Sequence, residues 1–225
     1  MAVNFVERID DGVAVRHVLA SVSDKTGLDK LVPALIAINP GVRIYSTGGT
    51  YAAIKDMLGA AARNLTQVSE YTGQPEMQGG LVKTLDFKIY LGLLSETYNT
   101  AHVDDLKRMQ GVAIDMVIVN LYPFAQTVAK PDATAEKARA NIDIGGPCMV
   151  RAAAKNYLRV ASVTDPADYA RIAAELQKTA GTMSLKLRFE LAQKAFAHTA
   201  AYDTAIAGYL KAQSLETVRQ CYRFG

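Results

Sequence analysis

Apolar and polar positions along the chain follow two rhythms that alternate. Residues 15–22 are apolar and β-branched and break at Ser23-Asp24, after which LDKLVPALIAI carries apolar side chains at helical spacing. Residues 42–46 are again strand-like, and Thr47-Gly48-Gly49-Thr50 leads into YAAIKDML, a second helical pattern. Strand followed by helix, twice over, predicts βαβ units and a parallel sheet. The run IDMVIVN, residues 114–120, has the dense apolar character of a strand covered on both faces, and it ends at Leu121-Tyr122-Pro123-Phe124. Asn141 to Pro147 forms another glycine turn ahead of MVRAAAKN, where proline suits the first helical position. A strand at 160–163 and a helix at 168–176 follow. Beyond residue 183, Leu187, Leu191, Ala195, His198, Tyr202, Ile206 and Leu210 recur at spacings of three or four and predict a long amphipathic helix. Residues 69–85, SEYTGQPEMQGGLVKTL, lack any period and are long for an idle connection, which marks them as a working loop.

These patterns divide the 225 residues into a polar lead at 1–14, an α/β domain at 15–183 and a helical region at 184–225 that packs on the domain or on a partner subunit. Half the residues are apolar and 21% are charged, enough to bury a core and too apolar for a disordered chain. The net charge of +3 does not point to nucleic acid, but it suits a small anion. The two cysteines, Cys148 and Cys221, form no disulfide framework and no paired zinc-ligand spacing. The opening MAVNFVERIDDG lacks the apolar run of a secretory segment, and no stretch approaches the roughly 18 apolar residues of a membrane span. A soluble, cytoplasmic protein is the expectation.

Chemistry is expected at three turns that each follow a strand and open a helix. They are Ser21-Val22-Ser23-Asp24-Lys25-Thr26-Gly27, Ser46-Thr47-Gly48-Gly49-Thr50 and Asp143-Ile144-Gly145-Gly146-Pro147. Free N–H groups at a helix start, hydroxyls and a lysine together attract an anion, most often a phosphate. Ser, Thr and Asp also serve as ordinary helix caps, so one such turn proves little. Two in consecutive units are stronger, because neighbouring parallel strands bring their C-terminal ends to one crevice. Neither a P-loop nor a GxGxxG fingerprint is present, which favours a monophosphate over a triphosphate or dinucleotide.

A second group consists of Lys83 and Thr84 in the long loop, Asn120 and Tyr122 after the buried strand, Asp143, and Arg151 with Lys155, four apart on one helix face. Taken alone, that basic pair reads as a solvated stripe and Asp143 as a cap. His198, inside the apolar stripe, reads as a packed, hydrogen-bonded residue, and neither His17 nor His102 has a nucleophile or metal-ligand partner by spacing. No metal is expected.

The segments SVSDKTGL, STGGT, VSEYTGQPEM, GGLVKTL, VNLYPF, NIDIGGP, RAAAKN and KAFAHTAAYDTAIAGYL, in this order, resemble the IMP cyclohydrolase domain that forms the N-terminal half of the bifunctional purine-biosynthesis protein. The resemblance spans about residues 16–211, without the larger AICAR transformylase half. It implies a methylglyoxal-synthase-like α/β fold, a parallel sheet wrapped by helices with a helical C-terminal extension. It also implies ring closure of FAICAR to inosine monophosphate with loss of water, no cofactor, a homodimer, and a separate AICAR transformylase as a possible partner; neither nucleic acid nor membrane is involved. Carried over by position, Ser21, Ser23, Lys25, Thr26, Ser46, Thr47, Gly48, Gly49 and Thr50 match its phosphate-binding segments. Lys83, Thr84, Asn120, Tyr122, Asp143, Gly145 and Lys155 match its base-binding and catalytic segments. Lys83 and Lys155 would stabilise the developing oxyanion, Tyr122 would donate a hydrogen bond or relay a proton, and Asp143 would orient or deprotonate the amide; which lysine takes which role stays open.

The chain departs from the family where GRVKTLHPKIHGG becomes GGLVKTLDFKIYLG. Leu81 replaces an arginine and so removes a bidentate phosphate contact. Asp86, Phe87 and Tyr90 replace histidine, proline and histidine. The competing expectation is therefore a nucleotide-binding module that kept the fold and lost turnover. Methylglyoxal synthase proper rests on fold analogy alone.

Overall fold

The structure, a computed structural model, describes residues 4–75 and 83–225. Its centre is a five-stranded parallel sheet in the order β4-β3-β2-β5-β6, made of β2 (His17–Val22), β3 (Arg43–Ser46), β4 (Leu65–Gln67), β5 (Met116–Asn120) and β6 (Ala161–Val163). A separate antiparallel pair joins β1 (Gly12–Ala14) to β7 (Thr182–Ser184).

Alternation along the strands sorts the core into two layers. Val18, Ala20 and Val22 of β2, with Met116 and Ile118 of β5, face α1 (Leu28–Ile38), α2 (Gly48–Leu58) and α9 (Tyr169–Lys178). Leu19, Val117 and Val119 face the other way, toward α4 (Phe87–Leu94), α8 (Gly145–Lys155) and α10 (Leu185–Ala212). Both faces are covered, which is why residues 114–120 read as an unbroken apolar run. The parallel sheet wrapped by helices is as the sequence led one to expect.

Several boundaries differ from that reading, each for a local reason. The strand expected at 15–22 begins at His17, because the Asp115 carboxylate accepts the N–H groups of Arg16 and His17 at 2.9 Å each while Val15 N–H turns to Gly181 C=O. The helices expected after the second and third glycine turns begin on the glycines themselves, at Gly48 and Gly145. Of the working loop, residues 68–72 are the short helix α3 (Val68–Thr72), and residues 76–82 lie outside the described residues. The helices α4, α5 (Thr100–Arg108), α6 (Phe124–Val128), α7 (Ala135–Ala140) and α11 (Leu215–Arg219) are additions. None of them has an apolar stripe long enough to announce itself; α5 buries no residue at all.

The first half of α10 belongs to the core, burying Leu187, Arg188, Leu191, Ala192, Ala195 and Thr199, and beyond Thr199 nothing on it is fully buried. Arg188 has no exposed surface and donates to the carbonyls of Asp10, Asp11, Tyr157, Leu158 and Met183, tying the N-terminal lead and β7 to this helix. Burying a guanidinium is costly unless every donor finds an acceptor, and here backbone oxygens supply them.

Candidate active site

From β2 the chain crosses through α1 to β3 on one side, and later returns to place β5 on the other side of β2. The C-terminal ends of β2 and β5 therefore flank a topological switch point, the position where open parallel sheets leave a crevice. A cavity of about 400 Å³ lies there, within the usual size range of small-ligand sites. Ser21, Ser23, Lys25, Thr47, Gly48, Gly49, Thr50, Lys83, Thr84, Asn120, Tyr122, Asp143 and Gly145 all line it. The first two glycine turns and the third thus meet in one place.

Within the hydroxyl set, the structure separates wall from scaffold. Ser21 Oγ and Thr47 Oγ1 sit 3.5 Å apart at the cavity wall. Ser46 does not line the cavity; it is fully buried and donates to Ala20 C=O at 2.7 Å, holding β3 against β2. Thr50 Oγ1 both accepts Val22 N–H and donates to Val22 C=O, at 3.0 Å each, which stitches the first turn of α2 to the end of β2. Thr26 is exposed and off the cavity, its N–H donated to the Asp24 carboxylate at 2.9 Å. Asn120 lines the cavity, yet its amide is a two-point clamp on Asp24, accepting from its N–H and donating to its C=O at 2.8 Å each. That clamp spans the switch point and fixes the Lys25 turn.

Cationic charge gathers over the second turn. Gly48 has a left-handed φ of 49°, and a Cβ there would come within 3.1 Å of Lys83 Nζ; a Cβ at Gly49 would lie 4.0 Å from Lys25 Nζ. The two ammonium groups therefore approach the first N–H groups of α2, donors that have no partner inside the helix. The next residue on, Thr84, leans against the third turn, its Oγ1 lying 2.5 Å from where a Cβ on Gly145 would stand. Lys83-Thr84 consequently bridges the two glycine turns; glycine suits the first through its left-handed φ and the second through the close approach of Thr84.

At the third turn, Asp143 Oδ1 accepts Gly146 N–H at 2.8 Å, and the Tyr122 N–H also points to the carboxylate. Burial raises the Asp143 pKa above the ordinary carboxylate value, with those two N–H groups acting in the opposite direction. Tyr122 is half exposed at the mouth, beside the exposed Ile144 and Leu85. The cavity thus has a cationic, hydroxyl-lined end and a carboxylate end with an apolar rim.

Lys155 is not brought to this cavity. It is the last residue of α8 and exposed, and at a rise of 1.5 Å per residue it lies roughly 15 Å from Gly145. The expected pairing of Lys83 with Lys155 over one cleft does not occur within the chain; the lysine that converges with Lys83 is Lys25. The altered 86–90 segment also stays off the cavity. Asp86 caps α4 by accepting Lys88 N–H at 2.8 Å, and Phe87 is exposed. Tyr90 keeps its buried hydroxyl beside Cys148. Leu81 lies outside the described residues.

Among the histidines, His17 Nδ1 meets Ala113 C=O at 3.0 Å and His102 Nδ1 accepts Glu96 N–H at 3.2 Å. His198 is packed as expected, but its buried Nε2 has no hydrogen-bond partner among the described residues, and burial lowers its pKa. Sequence reasoning missed Tyr202, whose hydroxyl lies 2.8 Å from the Asp143 backbone nitrogen. Its signal was present: a tyrosine in an apolar helical stripe needs a polar partner for its tip.

Comparisons with known proteins agree with this architecture. The family model of the MGS-like domain matches residues 27–148, and that of the AICARFT/IMPCHase bienzyme matches residues 153–224. The bifunctional purine biosynthesis protein PurH of Neisseria meningitidis is 48% identical over 201 residues, which is 89% of this chain and 37% of that protein. PurH of Ruminiclostridium cellulolyticum is 47% identical over 197 residues, 88% of this chain and 37% of that protein. The chain thus spans little more than a third of the length of these relatives. The solved structure of ForH superposes with a TM-score of 0.72 at 32% identity, covering 86% of this chain and 97% of ForH. Among the described residues no helix is long and apolar enough to cross a membrane. The chain belongs to the MGS-like domain family, and its likeness to PurH runs through the region that family model covers and on into the helices beyond it.

Proposed function

We propose that the chain is an IMP cyclohydrolase that closes FAICAR to inosine monophosphate. One observation carries the reading: the cavity has Lys25 at the Gly48-Gly49 turn at one end and Asp143 with Tyr122 at the other, with Lys83-Thr84 bridging the two, as a ribotide with one charged end and one reacting end requires. The likeness to PurH across the same residues supports it.

The reaction joins two arms of one molecule. The carboxamide nitrogen attacks the formyl carbon, a C–N bond forms, and the formyl oxygen takes up a proton. The same carbon then loses that oxygen as water. Holding both arms in a near-attack rotamer supplies much of the acceleration, since the two groups are already tethered. The phosphate sits on the α2 N-terminus, with Lys25 pairing its charge. Asp143 accepts the amide proton as the nitrogen attacks; its raised pKa makes it a better base than an exposed carboxylate. Lys83, reaching between the two turns, balances negative charge on the formyl oxygen, and Tyr122 at the mouth donates toward the departing water. Lys155 has no part in this scheme. The same reading carries a homodimer through the outer part of α10 and α11, supported by the exposed Leu210 and Leu215.

Incubating FAICAR with the purified chain and following the ultraviolet change of ring closure tests the proposal. Enzyme-dependent closure is the expected result. Tight IMP binding without acceleration would overturn it in favour of a nucleotide-binding module, a reading that loses support from the placement of Asp86, Phe87 and Tyr90 away from the cavity.

A further inference from the structure

The element that crosses behind the carboxylate end of the cavity is α10, and one of its side chains touches two of the segments that form the site. The Tyr202 hydroxyl accepts the Asp143 backbone N–H at 2.8 Å and donates to Asn141 C=O at 3.4 Å. Its ring meets Phe124 edge-on, with centroids 6.3 Å apart and planes at 71°. Phe124 is buried and opens the helix that follows Tyr122. Tyr202 thus braces the 141–143 turn with its hydroxyl and the 122–124 segment with its ring, and the Asp143 carboxylate accepts the Gly146 N–H within that frame.

We infer that Tyr202 is a positioning residue: it fixes the turn that aims the Asp143 carboxylate into the cavity, and so makes turnover depend on the outer part of α10. The inference rests on the reading of Asp143 as the proton acceptor. Tyr202 does not line the cavity, so it acts through Asp143 and not on the ligand. Without the hydroxyl, the Asp143 N–H loses its acceptor and the turn is free to relax. A displacement of about 1 Å in a reacting group costs on the order of a hundredfold in rate.

The test is Tyr202→Phe, which keeps the ring on Phe124 and removes only the oxygen, beside Tyr209→Phe as control. Tyr209 packs on the same Phe124 ring at 5.8 Å and does not line the cavity. Tyr202→Phe is expected to lower kcat by roughly tenfold to a hundredfold with KM and IMP affinity within about twofold, and Tyr209→Phe to leave all three unchanged. Wild-type turnover, or losses of kcat, affinity and thermal midpoint together, would overturn the inference. Carbon-13 NMR titration of the Asp143 carboxyl, identified by its absence in Asp143→Asn, gives a readout independent of activity. The titration is expected to move toward the ordinary carboxylate range in Tyr202→Phe, and an unchanged titration overturns the bracing role even if the wild-type chain proves not to cyclise FAICAR.

Discussion

The Asp143 carboxylate and the Gly146 backbone occupy the same small space: Oδ1 accepts the Gly146 N–H at 2.8 Å, and a Cβ on Gly146 would collide with the other carboxylate oxygen and with Leu121 Cδ2 at 2.7 Å. Both colliding atoms are side-chain ends, so the carboxylate and the methyl must give way to the added carbon. Gly146→Ala is therefore expected to push the carboxylate off its donor, lowering kcat/KM by roughly tenfold or more and costing about 1–3 kcal/mol of stability. Gly208, on the outer part of α10 with open space around it, is the control; Gly208→Ala should stabilise by about 0.5–1 kcal/mol and leave activity alone. Denaturation and kinetics of both variants check the contrast, and equal activity would dissociate Asp143 from the chemistry.

The two lysines over the Gly48-Gly49 turn are expected to separate in their effects. Lys25→Ala should weaken IMP binding roughly tenfold to a hundredfold, the worth of a charge-assisted contact. Lys83→Ala should lower kcat by more than it weakens binding. Calorimetry for IMP and initial rates for FAICAR decide it; a Lys83→Ala chain that binds poorly but turns over normally would move Lys83 to the phosphate end.

Hydroxyls in the same motif are expected to behave differently because the fold uses them differently. Ser46→Ala removes a buried hydrogen bond to the Ala20 carbonyl and should cost about 0.5–1.5 kcal/mol, with IMP affinity preserved. Ser21→Ala, at the cavity wall, should weaken IMP binding with little change in thermal midpoint. Reversal of the two would put the phosphate elsewhere.

The pH dependence follows from Asp143. Its pKa is raised by burial, so the ionised form needed to accept a proton is lost on acidification at a pH above the ordinary carboxylate value of 3.8. The acid limb of kcat/KM is expected there, and it should vanish with the residual activity of Asp143→Asn. Stability runs the other way. A folded pKa above the unfolded one contributes stability below the unfolded value and loses it as pH rises through the folded value, so Asp143→Asn should raise the thermal midpoint near neutrality while cutting turnover to a small residual rate. A lowered midpoint there would contradict the burial argument.

What could be read from the sequence, and what could not, separates along physical lines. The strands of the sheet centre and the helices α1, α9 and α10 were legible because their apolar periods are long or unbroken. Helices such as α5 were not, since a helix that buries nothing leaves no stripe. Thirteen of the candidate site residues line the cavity: those in the turns are legible because glycine turns after parallel strands carry their own geometry, whereas Lys83, Thr84, Asn120 and Tyr122 rest on the family resemblance. Motif membership did not tell a wall hydroxyl such as Ser21 from a scaffold hydroxyl such as Ser46, as both occupy the same kind of position and differ only in which neighbour takes the hydrogen bond. Lys155 stands apart from the cavity for a related reason: the helix that starts in the site carries its last residue away along its axis. Tyr202 needed the tertiary fold, since 59 positions separate it from Asp143.

The central claim is that one ribotide lies across the cavity with its charged end on the Gly48-Gly49 turn and its ring substituents at Asp143. A crystal structure of the chain with inosine monophosphate bound tests this most directly. The account predicts the phosphate beside Lys25 at the start of α2, with Lys83 and the Asp143 carboxylate within hydrogen-bond reach of the base edge. A nucleotide bound in the opposite direction, or away from these two turns, would contradict it.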